Sequence, residues 1–251
     1  MNEPTRFHDR TILVTGASSG IGLAVAQRVA REGARVVLVA RRSEALEAAA
    51  SSLATSGHIV FAGDCADEAV VKRLSDTLVA DQVTLDGVAL CAGAHDLRPL
   101  QIMKADNAEN MWRANVATTL VPLRGLLPRL TRGKSAVVGL SSIAAVRGGS
   151  GVIAYSSAKA AVEGALRAAA VELANRAVRV NWVRAGVVAT PMSDAFLGKL
   201  PPDAVDKIRG QHLLGFGAPD DVAAVVAFLL SDDGRWITGT GVDVDGGLSC
   251  H

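Results

Sequence analysis

Short apolar runs alternate with longer alanine-rich stretches along almost the whole chain. The apolar runs predict buried strands, at Thr11–Thr15, Arg35–Ala40, His58–Ala62, Gly87–Cys91, Ser135–Leu140, Val178–Val183 and Val242–Val244. The stretches between them predict helices, near residues 20–32, 43–55, 67–80, 106–131, 154–175 and 219–231. Because strands and helices alternate, we expect an α/β fold with right-handed crossovers. The pattern predicts a single domain over residues 1–251, a doubly wound parallel sheet of about seven strands with helices on both faces.

One region, near residues 193–214, departs from this alternation. Prolines and glycines recur from Lys199 to Gly217, including the pair Pro201 and Pro202. Such residues are typical of irregular segments between regular elements. The region predicts an insertion that acts as a mobile lid over a substrate.

A glycine-rich turn, Gly16-Ala17-Ser18-Ser19-Gly20-Ile21-Gly22, joins the first predicted strand to the first predicted helix. Gly16 suits a tight turn, Gly20 lets the backbone approach a pyrophosphate, and Gly22 permits close packing of helix on strand. The helix N-terminus supplies free N–H groups and the positive end of a dipole. The turn predicts a phosphate cradle in a Rossmann-like sheet. Its spacing differs from the commoner G-x-G-x-x-G, and an ordinary turn is the alternative.

The chain contains a single tyrosine, Tyr155, and Lys159 follows it one helical turn later. Residues at i and i+4 share a helix face, so the phenol and the ammonium point into one cavity. A nearby positive charge favours the phenolate, which predicts a lowered pKa for Tyr155 and a role as general acid. The alternative is a surface tyrosine beside an unrelated lysine.

From about Thr11 to Leu248 the chain resembles the short-chain dehydrogenase/reductase family. Its glycine-rich turn looks like the family's cofactor loop, and Tyr155-x-x-x-Lys159 looks like the catalytic pair. Ser142 stands where the family places a catalytic serine, and Asn115 matches its helix asparagine. The resemblance implies catalytic roles for Asn115, Ser142, Tyr155 and Lys159. It implies cofactor binding by Gly16, Ser18, Ser19, Gly20, Ile21, Gly22, Arg41, Arg42, Asp64, Cys65, Ala92, Gly93, Tyr155, Lys159, Gly186, Val188 and Thr190.

Two segments depart from the family pattern. Leu90-Cys91-Ala92-Gly93 stands where many members have Asn-Asn-Ala-Gly, and Ala185-Gly186 stands where most have Pro-Gly. The glycines keep the backbone freedom that close cofactor approach needs. A small buried packing residue is the favoured interpretation of Cys91, with a redox switch as the alternative.

The end of the second predicted strand bears on the choice of cofactor. In this fold an acidic residue there binds the ribose 2′-hydroxyl, whereas an arginine accommodates a 2′-phosphate. The strand leads into Arg41 and Arg42, with no carboxylate beside them. Arginine forks match phosphate oxygens, so we expect NADP(H), with NAD(H) as the alternative. The alternative for both arginines is solvation of the next helix.

The composition limits the kinds of binding partner that we expect. A net charge of +1 gives no reason to expect a nucleic acid or an anionic membrane. The longest strongly apolar run, Val222–Leu230, is too short to span a bilayer, and the first ten residues are polar. Cys65, Cys91 and Cys250 are scattered, which predicts reduced thiols in the cytoplasm and no metal site.

The favoured function is reduction of a ketone or aldehyde by hydride transfer from NADP(H). In this interpretation Tyr155 donates a proton, Ser142 stabilises the carbonyl oxygen, Lys159 holds the nicotinamide ribose and Asn115 positions a water. The alternatives are an NAD(H)-dependent alcohol dehydrogenase and a non-catalytic dinucleotide sensor. The small-molecule substrate stays open, with His95, Asp96, Arg98 and Arg147 as candidate polar contacts. The resemblance implies a homotetramer formed through the helices near 106–131 and 154–175 and the C-terminal strand, with a dimer as the alternative.

Overall fold

The computed structural model describes residues 5–250, so residues 1–4 and 251 of the predicted domain lie outside the described part. Its seven strands form one parallel sheet in the order β3-β2-β1-β4-β5-β6-β7. The strands are β1 Thr11–Thr15, β2 Arg35–Ala40, β3 Ile59–Ala62, β4 Gly87–Leu90, β5 Ala136–Ser142, β6 Arg179–Ala185 and β7 Gly241–Val244. The predicted fold class is confirmed, and each predicted strand end lies within two residues of its observed position.

Nine α-helices connect these strands within residues 5–250 and cover both faces of the sheet. They are α1 Gly20–Arg31, α2 Ser43–Ser51, α3 Glu68–Ala80, α4 Ala105–Trp112, α5 Thr118–Leu126, α6 Ile153–Glu172, α7 Pro191–Leu197, α8 Pro202–Gly210 and α9 Pro219–Leu230. The strand order reverses at β1, which lies between β2 and β4. In open α/β sheets the crevice beyond such a reversal is the usual place of a ligand.

The stretch predicted to be helical near 106–131 is helical from Ala105 to Arg129, but it is not one regular α-helix. It consists of α4, a π-helical segment at Arg113–Ala117, α5 and a final 3₁₀ turn at Leu127–Arg129. Pro122 lies inside α5 and has no N–H to donate to the carbonyl of the preceding turn, and Pro128 stands in the turn that ends the helix. The prolines are visible in the sequence, whereas helix propensity does not indicate the π-helical segment, which changes the direction of the side chains.

The predicted lid near 193–214 contains α7 and α8 rather than irregular chain. Pro191 and Pro202 are the first residues of these helices, where the missing N–H costs nothing. Pro202, one of the prolines on which the prediction of an insertion was based, therefore begins a helix.

The core has two layers, one on each face of the sheet. Ile12 and Val14 of β1 face α1, α2 and α9, whereas Leu13 faces the layer of α3 and α6. Gly139 of β5 allows α6 to pack closely, because a Cβ there would lie 2.3 Å from Leu166 Cδ1. This contact sets the distance between α6 and the strand that precedes the candidate catalytic serine.

Two general properties follow from the described residues. None of their helices combines the length and the apolar character that spanning a bilayer requires. No group of three or more His, Cys, Asp or Glu side chains within residues 5–250 could hold a metal ion.

Candidate active site

The turn between β1 and α1 forms a cradle for an anion. Gly16 has a φ of +68°, and a Cβ there would lie 3.0 Å from the backbone nitrogen of Ala92. Ser19 precedes α1 in an extended conformation, and its side chain makes no capping hydrogen bond within the described chain. The first N–H groups of α1 therefore remain available, and its first turn contains no acidic residue. This is the geometry with which helix N-termini bind phosphate groups.

A cavity of about 510 Å³ begins at this cradle and runs along the carboxyl ends of the strands. It brings together most of the residues predicted to bind a cofactor. The predicted residues in its lining are Gly16, Ser18, Ser19, Gly20, Ile21, Gly22, Arg41, Arg42, Asp64, Cys65, Ala92, Gly93 and Thr190. The shape and the phosphate cradle fit an extended dinucleotide.

Charges of both signs occur at the end of this cavity. Arg41 and Arg42 are exposed, and neither forms an ion pair among the described residues. Asp64 accepts the N–H of Ala66 at 2.9 Å and lies 3.3 Å from Arg113 Nη2. The two free guanidinium groups are therefore the parts of this cavity that can meet an additional phosphate.

Two cysteines of the cavity lining carry inert thiols. Burial raises the pKa of both Cys65 and Cys91 to about 12, and Lys159 opposes the change at Cys91. Both thiols stay protonated at neutral pH, so they lack the thiolate needed for redox chemistry. This supports the interpretation of Cys91 as a packing residue.

A second cavity, of about 700 Å³, adjoins the first and holds the candidate catalytic groups. Ser142 ends β5, while Tyr155 and Lys159 lie one turn apart near the start of α6. All three side chains belong to the lining of this cavity. Gly186 and Val188, the remaining predicted cofactor residues, also line this second cavity.

The pKa of Tyr155 differs from its prediction. Burial raises the pKa of Tyr155 above the ordinary value for tyrosine, and the nearby Ser142 hydroxyl opposes that rise. The prediction of a pKa lowered by Lys159 was wrong, because loss of solvation on burial is the largest influence on the phenol. Tyr155 consequently keeps its proton at neutral pH.

Lys159 is 4 % exposed, and its Nζ atom donates to the carbonyl of Leu140 at 2.8 Å. Burial lowers the pKa of Lys159 to about 8. Its Nζ lies 5.8 Å from the centre of the Tyr155 ring. The amine can thus gain or lose a proton close to neutral pH beside the candidate acid.

Asn115 lies in the π-helical segment and lines neither of these two cavities. Its amide nitrogen donates to the carbonyl of Ala94 at 3.0 Å, and its amide oxygen accepts the N–H of Ala94 at 3.3 Å. Its backbone carbonyl accepts the hydroxyl groups of Thr118 and Thr119. The side chain therefore fixes the loop after β4, a contact that sequence reasoning missed.

A buried ion pair behind the candidate site was also missed. Glu163 lies two turns after Tyr155 on α6, and its carboxylate accepts two bonds from Arg184 of β6, at 2.7 and 2.8 Å. It also accepts the hydroxyl of Ser141 at 2.8 Å. The carboxylate raises the pKa of Arg184 above its usual range. The only indication of Glu163 in the sequence was its position eight residues after Tyr155, which places both residues near the same helix face.

His212, which follows α8, connects the lid region to the cofactor side of the site. It is 3 % exposed, its Nε2 accepts the N–H of Val187 at 3.1 Å, and its Nδ1 lies 2.9 Å from the carbonyl of Ile208. A neutral ring with its proton on Nδ1 satisfies both contacts. Nothing in the sequence pairs His212 with a loop so distant in the chain.

The four candidate substrate contacts separate into two groups. His95 and Arg147 line the second cavity, and Arg147 Nη1 donates to the carbonyl of Leu248 at 2.6 Å. Asp96 and Arg98 lie outside its described lining and form an ion pair at 3.0 Å. His95 is the closer of the first pair to the chemistry, because its ring contacts that of Tyr155.

Comparison with known proteins agrees with this geometry. A family model described as enoyl-(acyl carrier protein) reductase matches residues 16–249. The chain is 32 % identical to levodione reductase of Leifsonia aquatica, over 98 % of this chain and 96 % of the relative. It is also 32 % identical to cyclopentanol dehydrogenase of Comamonas testosteroni, over 98 % of this chain and 99 % of the relative.

The crystal structure of levodione reductase superposes with a TM-score of 0.91 at 32 % identity, covering 97 % of this chain and 99 % of the other. These relatives are oxidoreductases of alcohols and ketones by name. The chain belongs to the short-chain dehydrogenase/reductase family, whose oxidoreductases use NAD(H) or NADP(H).

Proposed function

We propose that this protein is an NADP(H)-dependent oxidoreductase that reduces a ketone or aldehyde to an alcohol, with Tyr155 as the proton donor. The observation that carries the proposal is that Ser142, Tyr155 and Lys159 line one cavity, which adjoins a cavity large enough for a dinucleotide. When bound, the nicotinamide supplies the hydride. The protein's own residues must then hold the carbonyl and deliver a proton to its oxygen.

Tyr155 is suited to give that proton because its raised pKa keeps the phenol protonated at neutral pH. Ser142 Oγ accepts the N–H of Ala144 at 3.2 Å, and its hydroxyl donates to the carbonyl of Ala185 over a long 3.5 Å, a weak bond that a substrate carbonyl would replace. A carbonyl oxygen between these two hydroxyl groups would receive two hydrogen bonds as negative charge develops. Lys159 Nζ, with a pKa of about 8, can then restore a proton to the site.

Binding of the cofactor falls to three groups of residues. The cradle at Gly16 to Gly22 would hold the pyrophosphate, and Arg41 with Arg42 would hold a 2′-phosphate. Lys159 is assigned to the nicotinamide ribose by resemblance to the family. We infer that Asn115 supports this arrangement through the loop at Ala94, and that any water it orders lies beyond its present hydrogen bonds.

We also infer that α7 and α8 form the lid over the substrate. Phe196 of α7, Leu200 between the helices and Ile208 of α8 all line the second cavity. The bond from Val187 to His212 joins this lid to the loop after β6. A homotetramer in the cytoplasm completes the proposal, with Cys65 and Cys91 as reduced thiols.

The test is turnover of Tyr155→Phe with a carbonyl panel and NADPH. The variant should lose more than about 100-fold in kcat while binding NADPH nearly as well, because general acid catalysis contributes roughly 10²–10⁴-fold. Lys159→Met should lower both kcat and cofactor affinity. A wild-type rate in Tyr155→Phe would refute the assignment, and a wild type that binds NADPH without reducing any carbonyl would favour the sensor.

A further inference from the structure

His95 lies between the proposed proton donor and the lid. Its ring centre is 4.6 Å from that of Tyr155 in an edge-to-face arrangement, and 4.7 Å from that of Phe196. The residue before it, Ala94, is fixed through both its N–H and its carbonyl by Asn115. His95 therefore has a defined position on the wall of the second cavity.

The imidazole also has unused hydrogen-bonding capacity. Its Nδ1 atom is buried and has no hydrogen-bond partner among the described residues. The adjacent carboxylate of Asp96 is engaged by Arg98 at 3.0 Å. Burial lowers the pKa of His95, and Lys199 and Lys159 act in the same direction against Asp96. The ring is neutral at pH 7, with one donor nitrogen and one acceptor nitrogen.

A buried polar atom without a partner destabilises a protein unless something else binds to it. Many side chains of the same cavity wall are apolar. They include Leu97, Ile143, Val152, Val187, Phe196 and Leu200. Because Nδ1 is shielded as the ring stands, a ligand oxygen reaches it after a flip of the imidazole, which exchanges the ring nitrogens with the ring carbons. A ligand that then bonds His95 and places its carbon skeleton on the apolar wall would satisfy both features.

We propose that His95 binds a second oxygen of the substrate, and that the substrate is a carbonyl compound with a hydroxyl or keto group on the neighbouring carbon. The inference rests on the proposed function, because Tyr155 defines where the reacting carbonyl lies. The two ring centres are 4.6 Å apart, so one small molecule can contact both the phenol and the imidazole.

The first test compares acetoin with butanone, which differ by one hydroxyl. The measured quantity is the ratio of kcat/KM for acetoin to that for butanone, with NADPH, in wild type, His95→Phe and His95→Asn. Phenylalanine keeps the ring contacts with Tyr155 and Phe196 but cannot form hydrogen bonds. Asparagine keeps a polar group near the position of Nδ1. Comparing ratios between variants cancels the intrinsic reactivity of each ketone.

His95→Phe should lower the ratio by roughly three- to tenfold, the effect of one hydrogen bond between neutral groups. His95→Asn should keep most of the wild-type ratio, and the kcat/KM for butanone is the reference in each variant, so that any change in packing around Tyr155 cancels from the ratio. A ratio that is the same in wild type and His95→Phe would overturn the inference while leaving the proposed reductase intact.

The second test needs no turnover. Lactamide and propionamide differ by the same hydroxyl and are not reducible ketones, so they can be titrated into the wild-type complex with NADPH. Lactamide should bind roughly tenfold more tightly, and nitrogen NMR should show a shifted His95 imidazole, assigned from the signal missing in His95→Asn. If this holds although no ketone is reduced, the binding role stands and the proposed reaction fails. An imidazole signal indifferent to both amides would contradict the role of His95.

Discussion

The charge on Lys159 is unfavourable because the side chain is buried. Burial lowers its pKa from 10.5 to about 8, so between these values the folded chain binds fewer protons than the unfolded chain. Stability must therefore rise with pH across this window. Lys159→Met removes the buried charge and should be more stable than wild type at pH 7, by up to about 3 kcal/mol.

This difference between variant and wild type should shrink above about pH 10, where the amine is neutral in both states. Urea unfolding without added cofactor, at the two pH values, measures it. Lys72→Met is the matched control, because Lys72 is exposed and pairs with Asp76 across one helical turn. If the difference in free energy of unfolding between Lys159→Met and wild type is the same at both pH values, the amine titrates normally.

The proposed preference for NADPH over NADH depends on Arg41. Its guanidinium is exposed on the wall of the first cavity and lacks an ion-pair partner in the described chain. A charge-assisted bond to phosphate contributes about 1.5–3 kcal/mol, or tenfold or more in affinity. Arg41→Asp should lower the ratio of kcat/KM for NADPH over NADH by at least about tenfold, because it adds repulsion to the lost attraction. Arg73→Met is a control, since Arg73 is exposed on α3 and lies outside the lining of this cavity. A wild type that prefers NADH would contradict the proposal.

At the scale of elements, α6 is held against β5 and β6 by Glu163. The carboxylate joins Ser141 of β5 and Arg184 of β6, one residue before Ser142 and Ala185 respectively. Arg184→Met would leave Glu163 buried without its cation, which typically costs 3–5 kcal/mol. We expect a loss of about 3 kcal/mol in the free energy of unfolding. Because the same contact aligns Ser142 with Tyr155, kcat should fall as well.

Chemical denaturation and steady-state kinetics check this expectation. Arg124→Met is the matched control, because Arg124 and Glu68 form an exposed pair, and exposed pairs contribute about 0–1 kcal/mol. Equal losses of stability in the two variants would mean that Glu163 is solvated in solution.

The elements also show what sequence reasoning captures. Strands were predicted well because a buried parallel strand is a local apolar run, visible in Thr11–Thr15 and Arg35–Ala40 without knowledge of neighbours. The glycine-rich turn and the spacing of Tyr155 and Lys159 are equally local.

What the sequence did not reveal depends on contacts between distant segments. The π-helical segment at Arg113–Ala117, the bond from Val187 to His212 and the burial that raises the Tyr155 pKa all arise only after folding. Periodicity carries no information about desolvation, which here is the largest influence on the phenol.

At the scale of the whole molecule, the reversal of strand order at β1 opens one crevice that both cavities share. The carboxyl ends of β1, β4, β5 and β6 supply the cradle, the loop held by Asn115, Ser142 and the loop at Gly186. A single topological feature therefore brings together residues that are far apart in the chain.

The outer surface bears on assembly. Trp112 at the end of α4 is 52 % exposed, and Trp236, shortly before β7, is 96 % exposed. They lie on the two regions through which a tetramer was predicted, the helices near 106–131 and the C-terminal strand. Large exposed aromatic side chains are typical of protein interfaces. Two distinct self-complementary faces generate a closed tetramer with dihedral symmetry.

We therefore expect a tetramer, and Trp112→Glu and Trp236→Glu should each disrupt one face and leave a dimer bound through the other. The double variant should be a monomer, because a buried carboxylate without a partner opposes each contact.

Light scattering at micromolar concentration measures these masses, and circular dichroism checks that each variant is folded. The control is Lys72→Glu, which changes an exposed residue and should remain a tetramer. Leu97→Glu would not serve as a control, because Leu97 lines the second cavity. A monomeric mass for the wild type would contradict the assembly, and a single variant that yields monomers would mean that one face holds the tetramer together.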